Sequence, residues 1–135
     1  MESFHPYLTF DGNCEEALHF YERCFKGKII YIQYYDEAAA FGAEGLGSKV
    51  MHSEFKAGPV HFMACDKTSN QTLNSGTNMT LYVSFEDETT QRKIFEQLSE
   101  LGRIQLKPER TVWGSTVGML TDQFGIHWML VCNKV

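Results

Sequence analysis

Histidine and carboxylate side chains at alternating positions are the groups in this sequence best suited to chemistry. His52 and Glu54 are separated by one residue in a stretch rich in strand-forming residues, so both side chains face one side of the strand. A carboxylate near an imidazole can hold its tautomer and assist proton transfer, which makes these two residues the candidate catalytic groups. Alternate residues of a strand are about 7 Å apart at the backbone, so the two side chains could also share one ligand without touching each other.

Two further histidines occupy equivalent places in a repeated motif. The segment 61–64 (His-Phe-Met-Ala) returns 66 residues later as 127–130 (His-Trp-Met-Leu). Histidines with a nearby carboxylate are acceptable ligands for zinc, iron or manganese. If a metal ion is bound, its donors are expected among His5, His52, His61 and His127. The alternative is that these histidines are hydrogen-bonded groups of a polar cleft, with no metal.

The repeated motif belongs to a longer duplication. The segment 7–11 (Tyr-Leu-Thr-Phe-Asp) returns 75 residues later as 82–86 (Tyr-Val-Ser-Phe-Glu), and a helical pattern followed by glycine comes after each copy. This repeat predicts a single domain of two modules, 1–66 and 78–135, joined by a polar linker at 67–77. The predicted order in each module is β-α-β-β-β, which gives an α+β fold.

Apolar spacing and turn residues predict the bounds of the elements. Asn13 and Glu16 have the spacing of a capping box at the beginning of the first helix, which Gly27 is expected to end. Asp87 is the predicted N-cap of the second helix, 88–101. The predicted strands are 5–11, 29–35, 50–56 and 60–65 in the first module, and 79–86, 103–106, 115–121 and 126–132 in the second.

Four strands per module, covered on one side by a helix, leave the other side of each sheet open. We expect the two modules to form a curved mixed sheet around a central cleft in which a small molecule binds. The long connection 36–49 is either a binding lid or a plain surface loop. Trp113, in the irregular stretch 108–115, is a cleft or interface candidate, whereas Trp128 is expected in the core beneath the helix. The residues predicted to line the cleft are His5, Tyr7, His52, Glu54, His61, Tyr82, Trp113 and His127.

Composition argues against several classes of protein. Twelve basic and 17 acidic residues give a net charge of −5 without a run of Lys or Arg, so no nucleic-acid partner is expected. There is neither an apolar stretch of about 18 residues nor a signal-like N-terminus, so no membrane partner is expected and the predicted location is cytoplasmic. The four cysteines form no C-x-x-C pair and are interpreted as reduced, packed thiols. Cys14 alone has the helix N-terminal context that a reactive thiol requires.

Several motifs along the chain occur together in one known superfamily. They are Pro6 to Asn13, Ala17-Leu18, Phe20-Tyr21, Val50 to Glu54, Met63-Ala64, Trp113-Gly114 and Gly118 to Trp128. On these motifs the chain resembles the PhnB-like subgroup of the vicinal oxygen chelate superfamily, the glyoxalase, bleomycin-resistance and dioxygenase fold of paired βαβββ modules. The resemblance implies that fold for nearly the whole chain, and it implies a homodimer.

The resemblance also implies a metal centre, but its usual ligands are missing from this sequence. Enzymes of the superfamily bind a divalent metal through His, Glu or Gln at four positions, two from each module. The corresponding positions hold His5 or Tyr7, Met63, Thr80 or Tyr82, and Met129. Only His5 is a good donor for a hard or borderline divalent ion, because methionine thioether suits copper(I) better. No cofactor is therefore expected.

Two functions remain open from the resemblance. The leading hypothesis is a metal-free protein that binds a small organic molecule, analogous to drug sequestration by bleomycin-resistance proteins. The alternative is a metal-dependent enzyme of the glyoxalase or dioxygenase type, with a rearranged ligand set drawn from His5, His52, Glu54, His61 and His127. PhnB-like proteins also carry a demethylubiquinone methyltransferase label. The glycine-rich turn between a parallel strand and a helix that a methyl-donor fold normally presents is not predicted here.

Overall fold

The chain forms two compact units in the computed structural model, which describes residues 1–37 and 46–133. The units are Met1–Asn74 and Ser75–Val135, and the division between them falls within the predicted linker. Gly42 and Gly45 of the predicted lid or loop lie outside the described residues.

The first module contains a four-stranded mixed sheet and one α-helix. The strands lie in the order β1-β4-β3-β2, and β1 is parallel to β4 while the other pairs are antiparallel. A short 3-10 helix, Tyr35–Glu37, follows β2. The elements are β1 (Tyr7–Phe10), α1 (Cys14–Phe25), β2 (Lys28–Tyr34), β3 (Val50–Ala57) and β4 (Val60–Asp66).

The second module repeats this arrangement in a sheet of its own. Its strand order is β5-β8-β7-β6, and β5 is parallel to β8. The elements are β5 (Leu81–Phe85), α2 (Glu88–Leu98), β6 (Arg103–Arg110), β7 (Thr116–Thr121) and β8 (His127–Cys132). Among the described residues, neither α1, with 12 residues, nor α2, with 11, is long and apolar enough to cross a membrane.

Strand register confirms the predicted tandem repeat and the α+β class. Tyr7 lies opposite Met63 in the first sheet, and Tyr82 lies opposite Met129 in the second. These are the same pairs that the offsets of 75 and 66 residues relate in the sequence. The predicted mixed sheet is observed as two sheets of four strands, one in each module.

Aromatic side chains fill the core between α1 and the first sheet. Leu18 and Tyr21 of α1 have no exposed surface, and the Tyr21 ring meets the ring of Phe62 edge-on at a centroid distance of 5.7 Å. Phe62 in turn stacks on Phe55 at 4.9 Å. Each such side chain contributes about 1.5–3 kcal/mol to stability through burial. Since Phe55 and Phe62 face the helix, alternation directs their neighbours in β3 and β4 to the opposite side of the sheet.

Buried polar side chains attach α2 to the second sheet. The amide nitrogen of Gln91 donates to the backbone oxygens of Thr116 at 2.8 Å and Leu130 at 2.9 Å. The indole nitrogen of Trp128 donates to the carboxylate of Asp122 at 2.8 Å. Trp128 is 1% exposed, which confirms its predicted place in the core.

The two helices begin in different ways, and only one beginning was predicted correctly. The carboxylate of Asp87 accepts a hydrogen bond from the backbone nitrogen of Thr90 at 2.7 Å, as expected of an N-cap. The predicted capping box at Asn13 is wrong, because the Asn13 side chain makes no cap hydrogen bond. The backbone nitrogen of Cys14 donates instead to the buried carboxylate of Asp66 at 2.8 Å.

The end of α1 also differs from the prediction. Lys26, not Gly27, adopts the left-handed conformation that ends the helix, with φ of 55°. Gly27 is required for a different reason, since a Cβ at this position would lie 2.6 Å from the Cβ of Ala57 and 2.8 Å from the backbone oxygen of Lys56. The glycine therefore lets the chain pass close to β3 as it enters β2.

Element bounds in the second module differ from the prediction at α2 and β6. Helix α2 ends at Leu98, three residues before the predicted end. Strand β6 continues to Arg110 although it contains Pro108. Proline is tolerated because β6 is an edge strand, where a missing backbone N–H leaves no neighbouring strand unpaired. Part of the predicted irregular stretch 108–115 is thus a strand.

Replacing the buried carboxylate should destabilise the first module strongly. Asp66→Ala removes the acceptor of the Cys14 and Val50 backbone nitrogens, and leaving two buried donors unpaired should cost about 3 kcal/mol or more. Urea unfolding measures this loss. The control Asp11→Ala breaks only a surface ion pair with Lys67, at 3.7 Å, and should cost less than about 1 kcal/mol. Equal losses in the two variants would contradict this role for Asp66.

Replacing the left-handed residue at the end of α1 should stabilise the protein. Lys26→Gly removes the steric cost of a side chain at φ of 55°, and the gain should be about 1 kcal/mol in the free energy of unfolding. The control Lys28→Gly lies in β2, where glycine should weaken the strand. Calorimetric melting of both variants tests the difference in sign, and a lower melting temperature for Lys26→Gly would refute the interpretation.

Candidate functional site

Polar and aromatic side chains cover the side of the first sheet that faces away from α1. We call this side the first open face. Met63 lies at its centre, opposite Tyr7 of β1 on one side and Glu54 of β3 on the other, and Tyr31 of β2 lies opposite Glu54. The first open face comprises His5, Tyr7, Thr9, Tyr31, His52, Glu54, His61, Met63 and Cys65.

Glu54 and His61 form a hydrogen-bonded pair on this face. The Nε2 atom of His61 lies 2.5 Å from a carboxylate oxygen of Glu54. A carboxylate only accepts hydrogen bonds, so Nε2 of His61 carries the proton that is donated to Glu54. The two side chains are 28% and 23% exposed, so a bound molecule can reach both. The ring of His5 lies against that of His61, with centroids 4.1 Å apart.

Tyr7 and His52 form a second hydrogen-bonded pair on the same face. The Tyr7 hydroxyl lies 2.8 Å from Nδ1 of His52. Burial of this hydroxyl, together with the nearby Cys65, raises the pKa of Tyr7 well above its ordinary value, so the hydroxyl keeps its proton at neutral pH. Burial also raises the pKa of the Cys65 thiol. The ring of His52 lies between those of Tyr7 and Tyr31, at centroid distances of 5.6 and 5.9 Å.

The structure places His52 and Glu54 on one face, as alternation predicts, but gives them different partners. Glu54 pairs with His61 and His52 pairs with Tyr7. Glu54 lies opposite Met63, so His61, two residues away on β4, is its diagonal neighbour and is within reach of a long side chain. The predicted proton-transfer pair is therefore replaced by Glu54 and His61.

The donor groups of the first open face do not fit the usual divalent metal centre. Across residues 1–37 and 46–133, no group of three or more His, Cys, Asp or Glu side chains is placed to hold a metal ion. His5, the one good donor at the corresponding positions, contacts the ring of His61, and Met63 offers only a thioether. The expectation that the protein works without a cofactor stays a prediction.

His127 of the second module has a structural role. The backbone oxygen of Gly76 lies 2.8 Å from Nε2 of His127 and can only accept, so Nε2 carries a proton. In the neutral ring, Nδ1 then accepts from the Thr121 hydroxyl at 2.8 Å, and Thr121 itself accepts from the Gln105 amide at 2.9 Å. Both ring nitrogens of this predicted cleft residue are thus used within the module.

The remaining predicted site residues of the second module are exposed. Tyr82 is 57% exposed and lies opposite Met129. Trp113 is 85% exposed in the turn between β6 and β7, which a hydrogen bond from the backbone nitrogen of Thr111 to the oxygen of Ser115 closes. Neither aromatic ring belongs to a side-chain cluster like that of the first open face.

The interpretation of Cys14 as a potentially reactive thiol is wrong. Burial, and then the negative charge of Asp66, raise the pKa of Cys14 well above its ordinary value. A reactive thiol needs a lowered pKa. All four cysteines are free thiols, as predicted.

A cavity of about 630 Å³ opens where α1 begins. None of its lining residues belongs to the first open face, and several are engaged with each other. Lys49 donates to the backbone oxygen of Gly12, Tyr34 donates to Glu15, and Asp66 binds two backbone nitrogens. The polar groups of this cavity therefore serve the fold.

Sequence reasoning missed Tyr31 and Cys65 as members of the face. Cys65 follows Met63 by two residues, so alternation along β4 was a sufficient signal. Tyr31 was hidden because the register of β2 shifts between Ile29 and Tyr31, which interrupts alternation in that strand.

The raised pKa of Tyr7 makes the stability of the protein depend on pH in alkaline solution. The folded state keeps the Tyr7 proton above pH 10, where an unfolded tyrosine loses it, so this contribution is present below about pH 10 and is lost as pH rises further. Tyr7→Phe removes this term. Urea unfolding between pH 7 and 11 should show a shallower alkaline decline for the variant than for the wild type. Parallel curves would contradict a buried, protonated hydroxyl.

The comparisons with known proteins agree on one family. The family model for 3-demethylubiquinone-9 3-methyltransferase matches residues 2–131. The protein YjdN of Escherichia coli K12 is 26% identical over 134 residues, covering 93% of this chain and 91% of its own. A putative 3-demethylubiquinone-9 3-methyltransferase, PhnB protein, from Bacillus cereus has a TM-score of 0.83 and 29% identity, covering 97% of this chain and 99% of its own.

A more distant structure shows the same fold. A bleomycin resistance determinant encoded on the transposon Tn5 has a TM-score of 0.62 at 16% identity, with full coverage of both chains. The predicted glyoxalase and bleomycin-resistance fold is thereby confirmed. With a family model that matches nearly its whole length, the chain belongs to the PhnB-like family described as 3-demethylubiquinone-9 3-methyltransferase.

Proposed function

We propose that the protein binds a small organic molecule on the first open face. The observation that carries this proposal is the presence of two hydrogen-bonded pairs, Glu54 with His61 and Tyr7 with His52, on either side of Met63. Ligand sites in proteins combine apolar and aromatic surface with a few placed polar groups. The first open face has this combination.

The second sheet supports the assignment to the first face. By strand register, Met119 lies opposite Met129 as Glu54 lies opposite Met63. Two residues before Met119, Val117 takes the place that His52 has in the first module. The duplicated fold thus carries the two polar pairs in one module only. A structural requirement of the fold would be expected in both copies, so the pairs are better explained by binding.

The proposed binding does not use a metal ion. Glu54 and His61 are engaged with each other, and Nδ1 of His52 is engaged with Tyr7, so these donors are not held apart around a common point. The printed names of the relatives include a methyltransferase and a bleomycin resistance determinant. Of these two activities, sequestration of an organic compound needs only a binding surface, and we propose that mode here. The expected homodimer, the cytoplasmic location and a cleft between the modules stay predictions.

A compound screen with a substitution at the centre of the face tests the proposal. Small aromatic and heteroaromatic compounds are screened by ligand-observed NMR, and affinities of the hits are measured by calorimetry. Met63→Arg should weaken binding about tenfold or more, which is about 1.4 kcal/mol, because a long charged side chain then occupies the middle of the face. Binding should survive treatment with a chelator.

The matched control is Met79→Arg, the same substitution at a methionine that is 73% exposed. It should leave the affinity unchanged. Absence of any binding compound, or equal affinity of the wild type and Met63→Arg, would show that the first open face is not the site.

A further inference from the structure

The pairing of His61 with Glu54 decides which hydrogen bond the His61 ring can still make. Nε2 donates to Glu54, so in the neutral ring Nδ1 carries a lone pair and acts as an acceptor. No described residue makes a hydrogen bond to Nδ1 of His61. The side chain nevertheless keeps 23% of its surface exposed at the edge of a partly buried cluster. The first open face therefore presents one acceptor of fixed identity.

The surroundings of this acceptor are flat rings. His5 lies against His61, and farther along the face the ring of His52 lies between Tyr7 and Tyr31. Tyr7 and Tyr31 are about half exposed, so their rings are available to another molecule. Aromatic surfaces pack best against planar groups, and the thioether of a methionine such as Met63 adapts to the edge of a ring.

We infer that the molecule bound on the first open face is a planar aromatic or heteroaromatic compound that donates a hydrogen bond, from a ring N–H or a hydroxyl group, to Nδ1 of His61. The inference rests on the proposed function and adds the chemical class of the ligand. Glu54 is then a positioning residue, because it fixes the tautomer of His61 without touching the ligand. A site built to accept a hydrogen bond rejects an analogue that has no donor, since the acceptor is left unpaired.

Pairs of compounds that differ only in the donor test this inference. Indole is compared with 1-methylindole, and phenol with anisole, by calorimetric titration of the wild type. The donor compound of each pair should bind about five- to tenfold more tightly, as expected of one net hydrogen bond. His61→Phe should abolish the preference, because phenylalanine keeps a flat ring but has no acceptor.

Two further variants separate the chemistry of His61 from general disruption. His61→Gln should retain the preference, because its amide can donate to Glu54 and accept from the ligand through its oxygen. His19→Phe is the matched control, since His19 also pairs with a carboxylate, Glu22 at 2.7 Å, but lies on α1. It should change neither affinity nor preference. Melting curves confirm that each variant is folded.

The outcomes distinguish the inference from the proposed function. If no compound of the earlier screen binds, the proposed function fails and the inference fails with it. If other compounds bind but indole and phenol do not, the inference alone is overturned. Equal affinity for the two members of each pair, or a preference that persists in His61→Phe, also overturns it.

Discussion

The buried carboxylate of Asp66 is the constraint on which the first module depends. Its two oxygens accept hydrogen bonds from the backbone nitrogens of Cys14, where α1 begins, and Val50, where β3 begins. The backbone oxygen of the same residue accepts from the Tyr35 hydroxyl. Asp66 ends β4, so one residue joins the helix, β3 and the central strand. The acceptors satisfy donors that would otherwise be buried without partners, which is costly in a protein interior.

This junction determines the chemistry of the opposite side of the sheet. With α1 held against Phe55 and Phe62, alternation leaves Glu54, His61 and Met63 on the first open face. Register then selects the pairs, because Glu54 meets a histidine only if it lies opposite Met63. The second module has the same topology, but Met119 lies at the place of Glu54, and His127 is bound to Thr121 and Gly76. Duplication thus preserved the fold while the two faces acquired different chemistry.

Much of the fold could be predicted from sequence, because its signals are local or periodic. The Asp87 cap was predictable since its partner is three residues away. The beginning of α1 was not, because Asp66 is 52 residues from Cys14 along the chain. Likewise, alternation placed His52 and Glu54 on one face, but their partners depend on a register between strands that a single sequence does not specify. The reactive-thiol interpretation failed for a related reason, since burial of Cys14 is a tertiary property.

The central claim is that the first open face binds a small organic molecule around Met63. Methionine methyl groups labelled with carbon-13 give one NMR signal for each of the six methionines, and substitution of each assigns its signal. Titration with the best compound from the screen should move the Met63 signal most, with saturation at the affinity measured by calorimetry. Movement of other methionine signals while that of Met63 stays in place would contradict the account.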